Sequence, residues 1–433
     1  MKEDVMYIRN LLKEHNKWFE ECLPMIASEN IVSPYVKEAL ISDFGDRYAE
    51  GLPGERYYQG CPYIDKVELK AQELGRKLFN APYVDVRPIS GTVANLAVLF
   101  SLVKPGDKIS APNVSDGAHI SSAKFGAVGV RGLEPVTYPW DRKNMNIDVD
   151  GTIRLIKQEK PKLCLFGQSV FLFPTPLKDI MDAVKEVNAN VWYDAAHVLG
   201  LIAGGQFQDP LREGVDVISG STHKTFYGPQ RGIIIADPKE RGMPKEKMLK
   251  KLTYGVFPGV LSNHHLHTMA GLGIAMAEFM EFGREYAAQV VKNAQALGQA
   301  LYDNGFDVLC PHLGFTKSHT LALDVKKLGG ATKIVEDLEK ANVITNKNLL
   351  PWDSVDDALN PSGIRLGVQE LTRVGMKESE MKEVADIFKN LAIDKKPIEE
   401  VKQRVKELKR NFTKVKYCYT PEAEAYKFYE LVN

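Results

Sequence analysis

The chain has 433 residues, of which 44% are hydrophobic and 26% are charged, a composition typical of a protein that buries a sizeable core. Lysine plus arginine and aspartate plus glutamate both total 56, so the formal net charge is zero and gives no reason to expect a nucleic acid or an anionic membrane as partner. Five cysteines without paired spacing, an N-terminus without a signal segment and the lack of a long apolar run predict a cytoplasmic protein with free thiols.

The N-terminal part, residues 1–62, is predicted to hold two helices and a long functional loop. Apolar positions at helical spacing predict an amphipathic helix over residues 5–23, and a second short helix starts at Pro34. Residues 45–63 show no period but contain four tyrosines, which argues against disorder. Long loops of this kind in compact enzymes are usually functional.

Short apolar runs alternate with helical stretches between residues 63 and 240. The predicted strands are 82–88, 108–111, 134–138, 163–167, 190–193, 215–219 and 232–236. The predicted helices are 64–80, 92–103, 149–159 and 177–187. This alternation indicates an α/β protein with a mostly parallel sheet, whose functional residues gather at the carboxyl ends of the strands. We assign this large domain to residues 63–285.

A smaller α+β domain is predicted over residues 286–433. A helix pair, about 265–282 and 284–304, leads into it. The further predicted elements are strands near 306–310, 319–325 and 363–367 and helices at 331–341 and 376–390. The stretch 394–416 predicts a C-terminal helix packed on its own domain with a solvated basic face; a coiled-coil or membrane-surface role is the weaker alternative.

Lys224 and Asp194 are the sharpest local signals of chemistry. Lys224 follows a predicted strand and has small hydroxyl neighbours, which suits a lysine that forms a Schiff base, although most lysines are solvated surface groups. Asp194 ends an apolar strand, where a carboxylate needs a partner such as a protonated pyridine nitrogen, or else caps the next helix. The two residues together favour pyridoxal phosphate (PLP) over other cofactors.

Phosphate and carboxylate groups have candidate binding sites as well. Ser90, Gly91 and Thr92 follow a strand and open a helix, where free backbone N–H groups bind phosphate; an ordinary helix cap is the alternative. Arg365 lies inside an apolar strand and needs an acid partner, either a substrate carboxylate or an internal salt bridge.

Other catalytic motifs find no support in the sequence. The chain has no dinucleotide-binding, Walker-type or Gly-x-Ser-x-Gly motif. His264, His265 and His267 lack a metal-ligand spacing, and a polar loop or an interface is the better interpretation. No metal is therefore expected.

The assembled motifs resemble the serine hydroxymethyltransferases, PLP enzymes of the aspartate-aminotransferase-like fold type I. The most specific matching block is residues 47–61, and the resemblance spans essentially the whole chain. The other matching blocks are residues 26–30, 194–197, 221–225, 256–259 and 346–348. The resemblance implies reversible interconversion of serine and glycine, with tetrahydrofolate or tetrahydromethanopterin as the reduced pterin that takes the hydroxymethyl carbon. It also implies a homodimer with active sites shared across the interface.

The same resemblance implies a role for each matching residue. Lys224 would hold PLP covalently, Asp194 would pair with its pyridine nitrogen, and His119 would stack on its ring. Glu50 would be the acid/base near the serine hydroxyl. The remaining implied contacts to PLP are His197 and Ser169 at its phenolic oxygen and Ser90, Gly91, Thr92 and His223 at its phosphate. Those to the substrate are Arg365, Ser28 and Tyr58. Tyr48 would contact the phosphate or the substrate across the dimer, and Asn348 would contact the pterin.

Two segments depart from the common family pattern. The chain has Gln230 and Arg231 after Gly-Pro, where bacterial and eukaryotic members commonly have arginine and glycine. Residues 260–264 replace a glycine-rich stretch, so Ser262 or Asn263 would take over the phosphate contact to the neighbouring subunit. Both differences resemble the archaeal branch of the family.

Three other functions are alternatives to this one. A PLP-dependent aldolase that cleaves threonine or allo-threonine without a pterin is the main alternative. An aminotransferase fits the tyrosine-rich loop and Glu50 less well, and a non-enzymatic relative predicts the loss of Lys224, Asp194 or Arg365, all of which are present.

Overall fold

The computed structural model of the chain describes residues 2–432, except for the side chain of Val355. Backbone contacts divide the chain into two compact units. The larger unit is formed by residues 34–288 and 350–352, and the smaller by residues 1–33, 289–349 and 353–433. The division into domains 1–62, 63–285 and 286–433 stays a prediction, and the first and last residues of the chain lie outside the described residues.

The strands form one large mixed sheet and several small ones. Their bounds are β1 (Leu23–Pro24), β2 (Gly51–Leu52), β3 (Glu55–Arg56), β4 (Tyr83–Asp85), β5 (Lys108–Ala111), β6 (Glu134–Thr137), β7 (Trp140–Asp141), β8 (Asn146–Ile147), β9 (Leu163–Phe166), β10 (Asn190–Asp194), β11 (Val217–Ser221), β12 (Gly232–Ala236), β13 (Asp307–Val308), β14 (Thr320–Asp324), β15 (Val343–Ile344), β16 (Asn346–Asn348) and β17 (Gly363–Gly367).

Helices connect most of these strands. The α-helices are α1 (Lys2–Glu20), α2 (Pro34–Leu40), α3 (Pro62–Phe79), α4 (Gly91–Leu102), α5 (Ala127–Val130), α6 (Val149–Glu159), α7 (Leu177–Glu186), α8 (Leu199–Ala203), α9 (Lys245–Tyr254), α10 (Leu266–Asp303), α11 (Ala331–Lys340), α12 (Gln369–Arg373), α13 (Glu378–Ala392) and α14 (Ile398–Lys409). Within residues 2–432, none of them combines the length and the apolar character that a membrane span requires. The cytoplasmic location stays a prediction.

The large sheet has the strand order β4-β12-β11-β10-β9-β5-β6. Neighbours from β11 to β6 pair in parallel, whereas β12 pairs antiparallel with both β4 and β11. All strands except β12 therefore end at the same edge of the sheet, where ligands bind in such folds. The predicted α/β class with a mostly parallel sheet is confirmed.

Helix α4 joins the core of the larger unit to this edge. Apart from its first turn it is apolar nearly all round, so it is buried along most of its length, with Ala94, Val98 and Leu99 inaccessible to solvent. These residues share a hydrophobic cluster with Ile109 of β5 and Leu252 of α9. The N-terminus of α4 is thus held firmly at the carboxyl edge of the sheet.

The smaller unit contains an antiparallel sheet in the order β13-β14-β17-β16. The chain segment after α1 belongs to this unit, because Leu23 and Pro24 pair in parallel with Val343 and Ile344. Strand β17 has the bounds predicted for it, and β16 adds an edge strand that the sequence pattern did not predict.

Three predicted elements differ from the structure. The predicted helix pair between 265 and 304 is wrong: α10 is one continuous helix, and Gly283 in its interior does not end it. A Cβ atom on Gly204 would lie 2.6 Å from the carbonyl oxygen of Gly283, so the two glycines allow a close backbone approach. The loop 45–63 contains the hairpin β2–β3, and the helix predicted over 394–416 extends only over α14.

Candidate active site

Five predicted site residues follow strands of the large sheet at the edge where those strands end. Asp194 is the last residue of β10, and Lys224 lies three residues after β11. Ser90, His119 and Ser169 follow β4, β5 and β9, respectively. Sheet topology therefore gathers side chains that are far apart in the sequence.

A cavity of about 280 Å³ opens at this edge. The residues that line it are Ser90, Gly91, Thr92, Asn95, His119, Asp194, Ala196, Ser221, His223, Lys224 and Gln230. The residues predicted to attach PLP and to bind its ring and phosphate are thus largely brought together. In the described single chain, the lining does not include these predicted residues of the same unit: Ser169, His197, Tyr48, Glu50, Tyr58 and Ser262.

One end of the cavity suits a phosphate group. The Ser90 hydroxyl caps α4 by accepting a hydrogen bond from the N–H of Val93 (3.2 Å). A Cβ atom on Gly91 would lie 2.3 Å from the Ser221 hydroxyl oxygen, so only glycine leaves this first turn open. The Nδ1 atom of His223 is buried without a hydrogen-bond partner within residues 2–432. Burial, followed by the charge of Lys224, lowers the pKa of His223 to about 4, so the ring is neutral near pH 7.

The carboxylate of Asp194 is held in a defined orientation. Its Oδ1 atom accepts a hydrogen bond from the backbone N–H of Ala196 (3.0 Å). Its Oδ2 atom accepts one from the side-chain amide of Asn95 (2.8 Å). A carboxylate held in this way at a strand end, and partly open to the cavity, suits the protonated pyridine nitrogen of PLP.

Lys224 is only 8% exposed and lies on a loop that is tied to the Asp194 segment. The Thr225 hydroxyl donates to the carbonyl of His197 (2.7 Å) and accepts from the N–H of Gly200 (3.0 Å). His197 itself is buried beside this contact. Thr225 therefore joins the loop that carries Lys224 to the segment that follows Asp194, in addition to the pairing of β10 with β11.

Four residues that line the cavity were not predicted as site residues: Asn95, Ala196, Ser221 and Gln230. Asn95 had a detectable signal, because it is the polar residue in an otherwise apolar stretch of α4, where an unsatisfied amide would be costly. Ser221 belongs to a recognised motif, but its contact with the cavity depends on the end of β11.

The first segment that departs from the family pattern contains Gln230 and Arg231, and these two residues lie in different environments. Gln230 lines the cavity, whereas Arg231 is fully buried. The Arg231 guanidinium donates to the carbonyls of Val86 (2.7 Å) and Arg87 (3.0 Å) and to the Thr268 hydroxyl (2.6 Å). Burial lowers the pKa of Arg231 to about 9. The arginine therefore joins loops behind the cavity and does not enter it.

The second segment that departs from the family pattern, residues 260–264, contacts the tyrosine-rich loop of residues 45–63. The hydroxyl groups of Tyr48 and Ser262 lie 3.2 Å apart. The Asn263 amide accepts from the N–H of Ala49 (3.1 Å) and donates to the carbonyl of Arg47 (3.1 Å). Tyr48 thus lies beside Ser262 and near Asn263, one of which is predicted to contact the phosphate of the neighbouring subunit.

A buried group of charges holds the same loop on α3. Arg56 donates to the carboxylates of Glu68 (2.6 Å) and Asp65 (2.8 Å), and to the carbonyls on either side of Glu50 (2.7–3.0 Å). His264 lies 3.0 Å from Glu68. Burial alone would raise the pKa of Glu68, but the His264 and Arg56 contacts bring it below its usual value. Buried opposite charges thus fix the backbone that carries Glu50.

The predicted substrate residues of the smaller unit gather around β17. Arg365 pairs with Asn346 across the two strands, and its Nε atom donates to the Asn346 side chain (3.3 Å). Because Asn348 lies two residues after Asn346, it shares that face of the sheet. The segment with Ser28 is close to the end of β17, where Gly367 donates to the carbonyl of Met25 (2.8 Å). Burial lowers the pKa of Arg365 to about 10.

Comparisons with known proteins identify the family of this chain. The family described as "Serine hydroxymethyltransferase" matches residues 1–388. The chain is 58% identical over 417 residues to a serine hydroxymethyltransferase of Picrophilus torridus, covering 96% of this chain and 95% of that one. It is 54% identical over 428 residues to a serine hydroxymethyltransferase of Methanocella arvoryzae, covering 99% of each chain.

Among solved structures, the chain is similar to an L-threonine transaldolase from Pseudomonas fluorescens. The TM-score is 0.88 at 28% sequence identity, and the match covers 96% of this chain and 94% of the other. The predicted fold type I class is confirmed by this likeness. Since the family match covers most of the chain and the relatives cover nearly all of it, the chain belongs to the serine hydroxymethyltransferase family.

Proposed function

We propose that this protein interconverts L-serine and glycine and transfers the hydroxymethyl carbon to a reduced pterin. The observation that carries the proposal is the single cavity that Lys224, Asp194 and the N-terminus of α4 share. An amine, a fixed carboxylate and a phosphate-binding helix end are the three groups that PLP needs from a protein. The open turn at Gly91 and the buried nitrogen of His223 support the fit of its phosphate.

Each functional residue has a defined task in this reaction. Bound PLP supplies an electron sink for the bond between Cα and Cβ of serine. Arg365 holds the serine carboxylate, with Ser28 and Tyr58 beside it, and so orients that bond. Glu50 takes the proton of the serine hydroxyl as the carbon leaves, and Asn348 contacts the pterin that receives it.

Purified protein tests this function directly. We expect serine-to-glycine conversion that depends on added PLP and rises at least about tenfold with a reduced pterin. Tetrahydrofolate and tetrahydromethanopterin are compared at equal concentration, and the faster carrier is assigned. If serine loss does not respond to either pterin, the transferase proposal is wrong.

A pterin-independent aldolase is the second candidate function. The structural likeness to an L-threonine transaldolase favours it, because that enzyme is named for a β-hydroxy amino acid other than serine. In the same assay, allo-threonine cleavage that outpaces serine transfer at saturating pterin would place this function first.

We propose further that the active protein is a homodimer in which each subunit completes the other's site. Tyr57 and Tyr63 of the tyrosine-rich loop are 74% and 72% exposed. Helix α1 exposes Val5, Ile8 and Leu12, and none of its described residues is buried. A second copy of the chain would cover such apolar groups and would bring Glu50 to the partner's cavity.

Complementation between two inactive variants tests the shared site. Glu50→Gln and Lys224→Ala are produced together, so that random pairing makes half of the dimers mixed. With shared sites, one site in each mixed dimer has both native residues, and the activity is about one quarter of wild type. A mixture as inactive as either variant alone would show that Glu50 and Lys224 act within one subunit.

A further inference from the structure

We infer that Asn95 is a positioning residue that sets the orientation of both Asp194 and His119. It lies on the first turns of α4, is 3% exposed, and has no role assigned by the family motifs. The inference rests on the proposed function, since it concerns the residues that face the PLP ring.

Donor and acceptor chemistry determines which way the Asn95 amide points. The indole N–H of Trp192 can only donate, and it donates to the Ser219 hydroxyl oxygen (2.8 Å). The hydroxyl hydrogen of Ser219 is then directed to the Asn95 carbonyl oxygen (2.7 Å). The Asp194 carboxylate can only accept hydrogen bonds, so the Asn95 NH₂ group faces it and the Asn95 oxygen faces the Ser219 hydroxyl. A flipped amide would place the Asn95 oxygen against the Asp194 carboxylate, where two acceptors cannot form a hydrogen bond.

The second hydrogen of the Asn95 amide reaches the His119 side of the cavity. It is donated to the Ser121 hydroxyl oxygen (3.1 Å). That hydroxyl lies 2.8 Å from Nδ1 of His119, which also accepts from the backbone N–H of Ser121 (3.2 Å). In the neutral ring the proton is therefore on Nε2. One amide thus joins the group predicted to meet the pyridine nitrogen and the group predicted to stack on the ring.

This network predicts energetic coupling between Asn95 and Asp194. If Asn95 acts mainly through Asp194, most of the effect of its removal is lost when the aspartate is absent, and only the smaller part that acts through His119 remains. A direct contact between Asn95 and the cofactor would instead give the same loss in either background. Ser219 hydrogen-bonds the Asn95 amide but is not among the described residues that line the cavity. An effect of replacing Ser219 on the cofactor would therefore support action through Asp194 over direct contact with the cofactor.

A double-mutant cycle on PLP affinity tests the inference without measuring catalysis. Apoprotein is titrated with PLP, and dissociation constants are measured for wild type, Asn95→Ala, Asp194→Ala and the double variant. We expect Asn95→Ala to weaken binding about 10- to 100-fold in the native background and at most about threefold beside Asp194→Ala. Ser219→Ala should weaken binding in the same direction as Asn95→Ala, and the pH dependence of the bound cofactor's absorbance should shift in both.

Asn293→Ala is the matched control. Asn293 is equally buried and donates to Thr372 (2.8 Å) and Met376 (2.9 Å), so its loss tests the general effect of removing a buried amide. We expect no change in the cofactor's absorbance there. An equal loss of PLP affinity for Asn95→Ala in both backgrounds would overturn the inference alone. A wild-type protein that binds no PLP would overturn both the inference and the proposed function, whereas coupling without serine turnover would leave the inference standing.

Discussion

Replacing Lys224 by alanine is expected to reduce serine turnover by roughly 10³-fold or more, because we propose its amine as the group that holds PLP covalently. The residue is nearly buried, and its loop is fixed by the Thr225 contacts with His197 and Gly200, so the variant keeps the rest of the cavity. Turnover is measured with saturating PLP and pterin, and the bound cofactor is measured by absorbance after dialysis.

Two variants control this experiment. Lys224→Arg keeps the positive charge but lacks a nucleophilic amine, so we expect it to be as inactive as the alanine variant. Lys239→Ala removes a lysine that also follows a strand of the large sheet but pairs with Asp237 (2.6 Å), and it should keep wild-type turnover. Appreciable turnover by Lys224→Ala after dialysis would show that another residue holds the cofactor.

Replacing Arg365 by leucine should raise the KM for serine by about 10²- to 10⁴-fold. An arginine can make two charge-assisted hydrogen bonds to a carboxylate, and the loss of both at roughly 1.5–3 kcal/mol each corresponds to this rise in KM. PLP affinity should not change, because the proposed function assigns the substrate carboxylate and the cofactor to different residues. Steady-state kinetics over a wide serine range and a PLP titration check both expectations.

Stability distinguishes a substrate-binding arginine from a structural one. Burial lowers the pKa of Arg365 to about 10, so placing its charge in the strand opposes folding. We therefore expect Arg365→Leu to unfold at the same denaturant concentration as wild type or a higher one. Arg365→Lys should recover part of the serine affinity, because lysine offers charge without a bidentate fork. A clear loss of stability with unchanged KM would assign Arg365 to an internal salt bridge.

The sequence predicted the main chemical groups because they lie where local patterns are informative. Asp194 and Lys224 follow apolar runs that form β10 and β11, and Ser90 with Gly91 marks a helix start. Parallel strands bring their carboxyl ends to one edge, so the order of elements was enough to place these residues together. Asn95 escaped because its role depends on Ser219 and Asp194, which lie 124 and 99 residues away along the chain.

Periodicity misjudged elements whose bounds depend on packing. Gly283 suggested a break between two helices, but α10 continues because the helix hydrogen bonds tolerate a single glycine at a cost of about 1 kcal/mol. Likewise, the hairpin β2–β3 has only two residues in each strand, which is too short for an alternating pattern to reveal.

The sequence by itself determined the α/β class, the positions of Lys224 and Asp194 at or just after strand ends, and the family resemblance of the tyrosine-rich loop. Only the tertiary structure decided which groups hold the predicted site residues in place. The Asn95 amide contacts Asp194, and the group formed by Arg56, Glu68 and His264 lies behind the backbone that carries Glu50. The physical reason is the separation along the sequence over which each kind of interaction acts. Hydrophobic period and turn chemistry act within a few residues, whereas the hydrogen bonds that satisfy a buried amide or carboxylate join residues that become neighbours only when the sheet forms.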